Sequence, residues 1–187
     1  MRDYVLAAAD PWFPQATGTT DADAATLLLP AFGLVAADDP RVAATVDAVC
    51  AQLAGPKGLL HRYRSADGLR GGEGAFLLCS FWLVDVLVHA GQLARAEEML
   101  LDLLALANDV GIYAEEVDPV TGEHLGNTPQ AFTHMALVAS CAHLSAAKAG
   151  RLPDDGLPYD FAELALLRLL EDAGDGARGS GDDAGQM

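Results

Sequence analysis

The chain has 187 residues, enough for one domain with a buried core, and carries 27 Asp and Glu against 11 Lys and Arg, a formal charge of −16. That acidity repels phosphate backbones and anionic membrane surfaces, so it argues against a nucleic-acid partner and leaves neutral ligands or protein surfaces. No run reaches the roughly 18 uncharged apolar residues that a membrane span needs; the nearest, residues 77–90, is interrupted by Asp85 and His89.

In chain order, Asp3 to Ala9 reads as the end of a helix, stopped by Pro11 and Pro14. Thr20 or Asp21 caps a predicted helix running to about Val35, kinked at Pro30. Asp39 and Pro40 open the next. Its apolar residues Val42, Val46, Val49 and Leu53 recur at helical spacing, and Gly55 closes it. A glycine-rich loop then spans Gly55 to Gly74. Residues 75–90 are apolar nearly all round, which predicts a helix buried on every side. Residues 92–108 are amphipathic, with Leu93, Ala96, Leu100, Leu103 and Leu104 on one face. Pro129 to Ala149, capped at Thr128 and ended by Gly150, and Pro158 to Ala173, with Leu164, Leu167 and Leu170 on one side, complete the helices. Residues 174–187 are low in complexity and read as a disordered tail.

Between two of these helices lies a polar, turn-rich stretch, Gly111 to Gln130, with adjacent carboxylates at Glu115 and Glu116. Asp118-Pro119 followed by Thr121-Gly122 reads as a tight turn, because proline presets φ and glycine accepts positive φ. Loops mounted on a rigid helical frame are where binding and catalytic groups concentrate.

Cys50, Cys79 and Cys141 fall inside apolar helical patterns with no CxxC or metal-ligand spacing, which points to reduced, buried thiols, no metal site and a cytoplasmic setting. The N-terminus lacks the pattern of a signal peptide. Six helices and no strand emerge, paired by short turns or separated by long polar loops. The fold class is therefore all-α, antiparallel helical hairpins with their loops gathered at one end. A solenoid and a closed toroid share this pattern; the absence of a fixed repeat and the all-round apolar helix favour the toroid.

Several segments, in order, resemble glycoside hydrolase family 15, the glucoamylase, glucodextranase and trehalase group. They are Asp38-Asp39-Pro40-Arg41 with Thr45, His61-Arg62-Tyr63, Asp67-Gly68, and Gly72-Glu73-Gly74-Ala75-Phe76 with Phe81-Trp82-Leu83-Val84-Asp85. Then come Asn108-Asp109-Val110-Gly111, Ala114-Glu115-Glu116-Val117-Asp118-Pro119, Thr121-Gly122-Glu123, Leu125-Gly126-Asn127 and Pro129-Gln130-Ala131-Phe132. The resemblance implies an (α/α)6 barrel, of which residues 1–173 would form about half, the C-terminal part of the catalytic domain. It also implies an inverting, exo-acting hydrolase that releases glucose from an α-glucoside oligosaccharide or disaccharide without a cofactor.

By that resemblance Glu115 is the general base and Arg62 holds the glucosyl unit; Glu73 and Glu116 lie in the matched segments as substrate-binding or supporting carboxylates, and Tyr63 is either a wall of the pocket or a core residue. Glu116, next along the loop, points elsewhere than Glu115; Glu73 is equally placed to cap the helix beside it. Trp82 and His134 read as core or near-core residues. Nothing upstream of Glu115 resembles the family's general acid, so the expectation is a chain inactive on its own. A half-ring would also expose apolar surface and invite self-association. A non-catalytic helical scaffold and a carbohydrate-binding remnant remain as alternatives.

Overall fold

The computed structural model describes Leu6, residues 9–64 and residues 73–151. The helix expected over 158–173, the tail 174–187, and the motif residues Asp67, Gly68 and Gly72 lie outside these, as does most of Asp3–Ala9. Four α-helices are present among the described residues: α1 (Pro40–Leu53), α2 (Leu77–His89), α3 (Leu93–Leu104) and α4 (Ala131–Lys148).

Helix α1 follows its sequence signals. Asp39 caps it through Oδ1, which accepts from the Arg41 backbone N–H at 2.9 Å, and Pro40 takes the first turn, where its missing N–H costs nothing. Val42, Val46, Val49 and Leu53 are buried as the spacing predicts. The cap at its end is Ala54 in extended conformation rather than Gly55, because Ala54 pairs with Leu60 across a turn through Pro56–Gly58.

The helix expected from Thr20 or Asp21 to Val35 is instead a short 3-10 turn, Ala24–Leu28, capped by Asp23. Pro30 has no N–H for the ladder, and the chain beyond it folds as turns through Gly33, at φ 64. The proline ends the element rather than kinking it.

Helix α2 is buried along most of its length, including Leu77, Phe81, Val84, Leu87 and Val88. Its one buried charge, Asp85, faces His143 of α4, Nδ1 to Oδ1 3.2 Å. Ser140 donates from Oγ to the Phe81 carbonyl at 3.1 Å, so α2 and α4 run side by side in the same direction. Helix α3 runs the opposite way: Lys148 at the end of α4 pairs with Glu97 near its start, and the Tyr113 hydroxyl donates to the Leu104 carbonyl at its finish. Ala96, Leu100 and Leu103 form its buried face, while Leu104, expected with them, is 40% exposed. Helix α3 also ends at Leu104, short of residue 108, since Asn108 Oδ1 accepts from the N–H groups of Val110 and Ile112 and turns the chain away.

Helix α4 starts later than expected. Its cap is Gln130, which accepts from Phe132 N–H, not Thr128. At its end Gly150 sits just past the last turn with φ 65, as predicted.

The absence of strands is overturned. Three two-residue strands, β1 (Ala75–Phe76), β2 (Glu116–Val117) and β3 (His124–Leu125), form one antiparallel sheet in that order. The Asp118 turn joins β2 to β3: Oδ1 accepts from Val120 and Thr121, and Gly122 takes φ 80. The sheet stitches the polar loop to the start of α2. Helix α2 therefore begins at Leu77, two residues later than its apolar run.

The three cysteines are free; Cys79 is buried and Cys50 half-buried, but Cys141 is exposed, contrary to the expectation of three buried thiols. Among the described residues no helix is long and apolar enough to cross a membrane, and no group of three or more His, Cys, Asp or Glu is placed to hold a metal ion.

Candidate active site

The loop from Gly111 to Gln130 is fastened at both ends before it presents any side chain. At its entry, Tyr113 is buried edge-on against Phe81, 6.1 Å between ring centroids. At its exit, Thr133 of α4, fully buried, donates from Oγ1 to the Ala114 carbonyl at 3.0 Å. His134 engages both ring nitrogens: Nδ1 meets the Gln130 carbonyl at 2.7 Å, and Nε2 accepts from Tyr113 N–H at 3.3 Å. It is a bracket for the loop, in keeping with a packed polar residue.

Glu115 follows directly, half-buried beside the N-terminal ends of the two parallel helices. Its carbonyl accepts from Leu77 N–H at the start of α2, 3.1 Å, and its own N–H donates to the Asn127 carbonyl, 2.9 Å. Its carboxylate accepts twice at Oε2, from Asn127 Nδ2 at 2.9 Å and Asn127 N at 3.2 Å.

Glu116 is in strand β2, paired with Phe76 and Leu125, and turns away from Glu115 as strand alternation requires. Its Oε2 accepts from the Gly74 N–H at 2.9 Å. Partial burial pushes its pKa above the ordinary carboxylate range; the Gly74 N–H opposes this, and the charges of Glu73 and Glu115 add to it. Gly74 must be glycine here, because a Cβ would lie 2.8 Å from the Val117 carbonyl oxygen and 2.9 Å from Glu116 Oε2. Glu116 therefore ties the glycine-rich loop to the sheet. Glu73 is exposed beside it.

Arg62 is exposed, its guanidinium 5.6 Å from the centre of the Tyr63 ring, and its carbonyl accepts from Ala24 N–H. Tyr63, half-buried, bridges to Asp23. The buried thiol of Cys79, at the first turn of α2, registers this neighbourhood. Burial pushes it up to about 12, with Arg62 pulling it down and Asp23 and Glu116 pushing it up. Arg62, Glu116 and Glu73 thus gather with Glu115 around the same end of α2. Trp82 is half-buried against the core.

A cavity of about 260 Å³ between α1 and α3, lined by Cys50, Leu59, Leu83, Arg95 and Met99 among others, shares no residue with this cluster. Sequence reasoning passed over Asn127 and Thr133. The only signal for Asn127 was its place directly after Gly126 in a matched motif, and for Thr133 its place in the first turn of a helix following the loop.

Two parallel helices, α2 and α4, with α3 running antiparallel to them, hold the carboxylate-bearing loop against their N-terminal ends. The sequence profile of Glycosyl hydrolases family 15 matches residues 4–142, and the chain belongs to that family. It is 47% identical over 133 residues to a trehalase of Mycolicibacterium smegmatis and 45% identical over 135 residues to one of Mycobacterium tuberculosis, covering 70% and 71% of this chain. A trehalase of Thermoplasma volcanium is 39% identical over 126 residues. The chain spans 20% of the length of each of these relatives. A solved structure described as a wild-type glycosidase superposes with a TM-score of 0.61 at 29% identity, covering 81% of this chain and 43% of that one. The mostly helical architecture is consistent with a partial (α/α)6 toroid.

Proposed function

We propose that this chain forms the general-base side of an inverting α-glucoside hydrolase, with trehalose as the substrate. The observation that carries it is Glu115: a carboxylate anchored on a fastened loop beside the N-terminal end of α2, in a family 15 chain, with one oxygen held by Asn127. The trehalase relatives support trehalose over starch ends, isomaltosides or dextran. Inversion requires two carboxyl groups about 6.5–9.5 Å apart, one protonating the leaving oxygen and one activating water on the opposite face of the ring. Glu115 supplies the second role. Arg62, with Tyr63 beneath it, offers a planar donor set to the sugar hydroxyls, and Glu73 and Glu116 shape the same rim.

The acid resides in a part of the catalytic domain outside this chain, and the chain alone does not turn over trehalose. Free cysteines, one of them exposed, suit a reducing compartment, the cytoplasm. The test is to join the chain to the upstream part of a family 15 catalytic domain and follow glucose release and its anomeric form by NMR. Release of α- and β-glucose in equal amounts before mutarotation, the β from the attacked ring and the α from the departing one, is the expected result, and Glu115→Gln should abolish it. Undiminished release from Glu115→Gln would remove the base assignment, and α-glucose as the sole initial product would remove inversion.

A further inference from the structure

Glu115 and Asn127 lie twelve positions apart in sequence yet share three hydrogen bonds: N–H of Glu115 to the carbonyl of Asn127, and two N–H groups of Asn127 to Glu115 Oε2. A carboxylate only accepts, so the part of the Asn127 side chain that faces it is the NH2 group. The approach depends on Gly126. It has φ 70, and a Cβ there would stand 2.9 Å from Glu115 Oε2 and 3.1 Å from Glu115 Cβ. Oε1, by contrast, has no hydrogen-bond partner among the described residues. The two oxygens of one carboxylate are therefore in different situations. Among the described residues one is clamped and the other meets no donor.

We propose that Asn127 is a positioning residue that assigns the two oxygens of Glu115 separate tasks, an inference that rests on Glu115 being the base. Oε2, saturated by two donors, sets the rotamer of the side chain. Oε1 takes the proton. In the step, an O–H bond of the attacking water breaks and its proton passes to Oε1. The water oxygen forms its bond to the anomeric carbon as the glycosidic C–O bond breaks, and the departing oxygen is protonated by the acid from the other part of the domain. Holding the carboxylate at a fixed angle keeps the water in line with that carbon, and a displacement of about 1 Å costs on the order of 10²-fold in rate.

Two measurements test this. In the chain as it stands, the Asn127 side-chain NH2 and backbone amide resonances should follow the ionisation of Glu115 in a single transition on pH titration by NMR. That transition should vanish in Glu115→Gln. Asn127 resonances indifferent to pH would overturn the clamp directly. In the completed catalytic domain, Asn127→Ala should lower kcat by roughly 10²-fold with KM little changed, Asn127→Asp should be at least as damaging through like-charge repulsion, and Asn127→Ser should recover part of the loss. If Glu115→Gln is inactive while Asn127→Ala keeps its kcat, the positioning role is wrong and the base assignment stands. If Glu115→Gln is active, the base assignment fails and this inference goes with it.

Discussion

Thr133→Val isolates the attachment of the catalytic loop to helix α4. Thr133 is 0% exposed, and its hydroxyl is the donor to the Ala114 carbonyl, itself at a residue with no exposure. Valine matches the shape of threonine and opens no cavity, but it cannot donate, so a buried carbonyl is left without its partner. Such a loss costs about 1–3 kcal/mol. For a chain of this size each kcal/mol moves Tm by roughly 2–4 °C, so a fall of about 2–12 °C is expected. The loosening should also be local: amide hydrogen exchange should speed up at Glu115 and Gln130, which bond on either side of the anchored carbonyl, and not at the core positions of α1. Thr133→Ser keeps the donor and loses only a methyl group, so its exchange at Glu115 should stay near that of the parent. A valine variant with unchanged urea stability and unchanged Glu115 exchange would show that packing alone holds the loop, and the argument from the hydrogen bond would be refuted.

Lys57 sits at φ 62, ψ 14, a left-handed conformation costly for a residue with a Cβ, so Lys57→Gly should stabilise the chain by about 0.5–1 kcal/mol in denaturant melts; a neutral or negative change would mean the turn is not strained. His89 at the end of α2 has its pKa lowered from 6.5, by burial first and then by neighbouring His143, with Asp85 acting the other way. The unfolded chain therefore binds the proton more readily, and stability should be present above pH 6.5 and lost as pH falls through the lowered value, a slope that His89→Gln should flatten in urea melts across pH. Phe132, Met135 and Val138 line one side of α4 at 65%, 59% and 42% exposure. Light scattering should show association that grows with salt, as screening relieves the repulsion of the −16 charge, and that weakens in Phe132→Ser/Met135→Ser; a monomer at every concentration and salt would exclude this surface as a self-contact.

Much of the frame was legible in the sequence because it depends on local periodicity. The spacing of Val42, Val46, Val49 and Leu53 defined the buried face of α1, the nearly all-apolar run after Phe76 marked α2 as central, and Gly150 marked the end of α4. Asp118 with Gly122 foretold the turn, and the ordered motifs around Glu115 foretold the family. What these signals share is that each is settled within one or two turns of chain.

Tertiary structure decided the rest. Two-residue strands have no period to read, so the pairing of Ala75–Phe76 with Glu116–Val117, across some forty residues, existed only once α2 and the loop were brought together. Pro30 ended an element where a kink was equally compatible with the sequence, and Leu104 turned outward because Asn108 curled the chain beneath it. Likewise the grip of Asn127 on Glu115, and of Thr133 on Ala114, joins polar groups distant in sequence. Apolar spacing states which side of a segment leaves water, but not which distant donor will meet which acceptor. That is settled by the packing of α2 against α4, since a polar group carried into the interior must find its partner among whatever segments the burial has placed beside it.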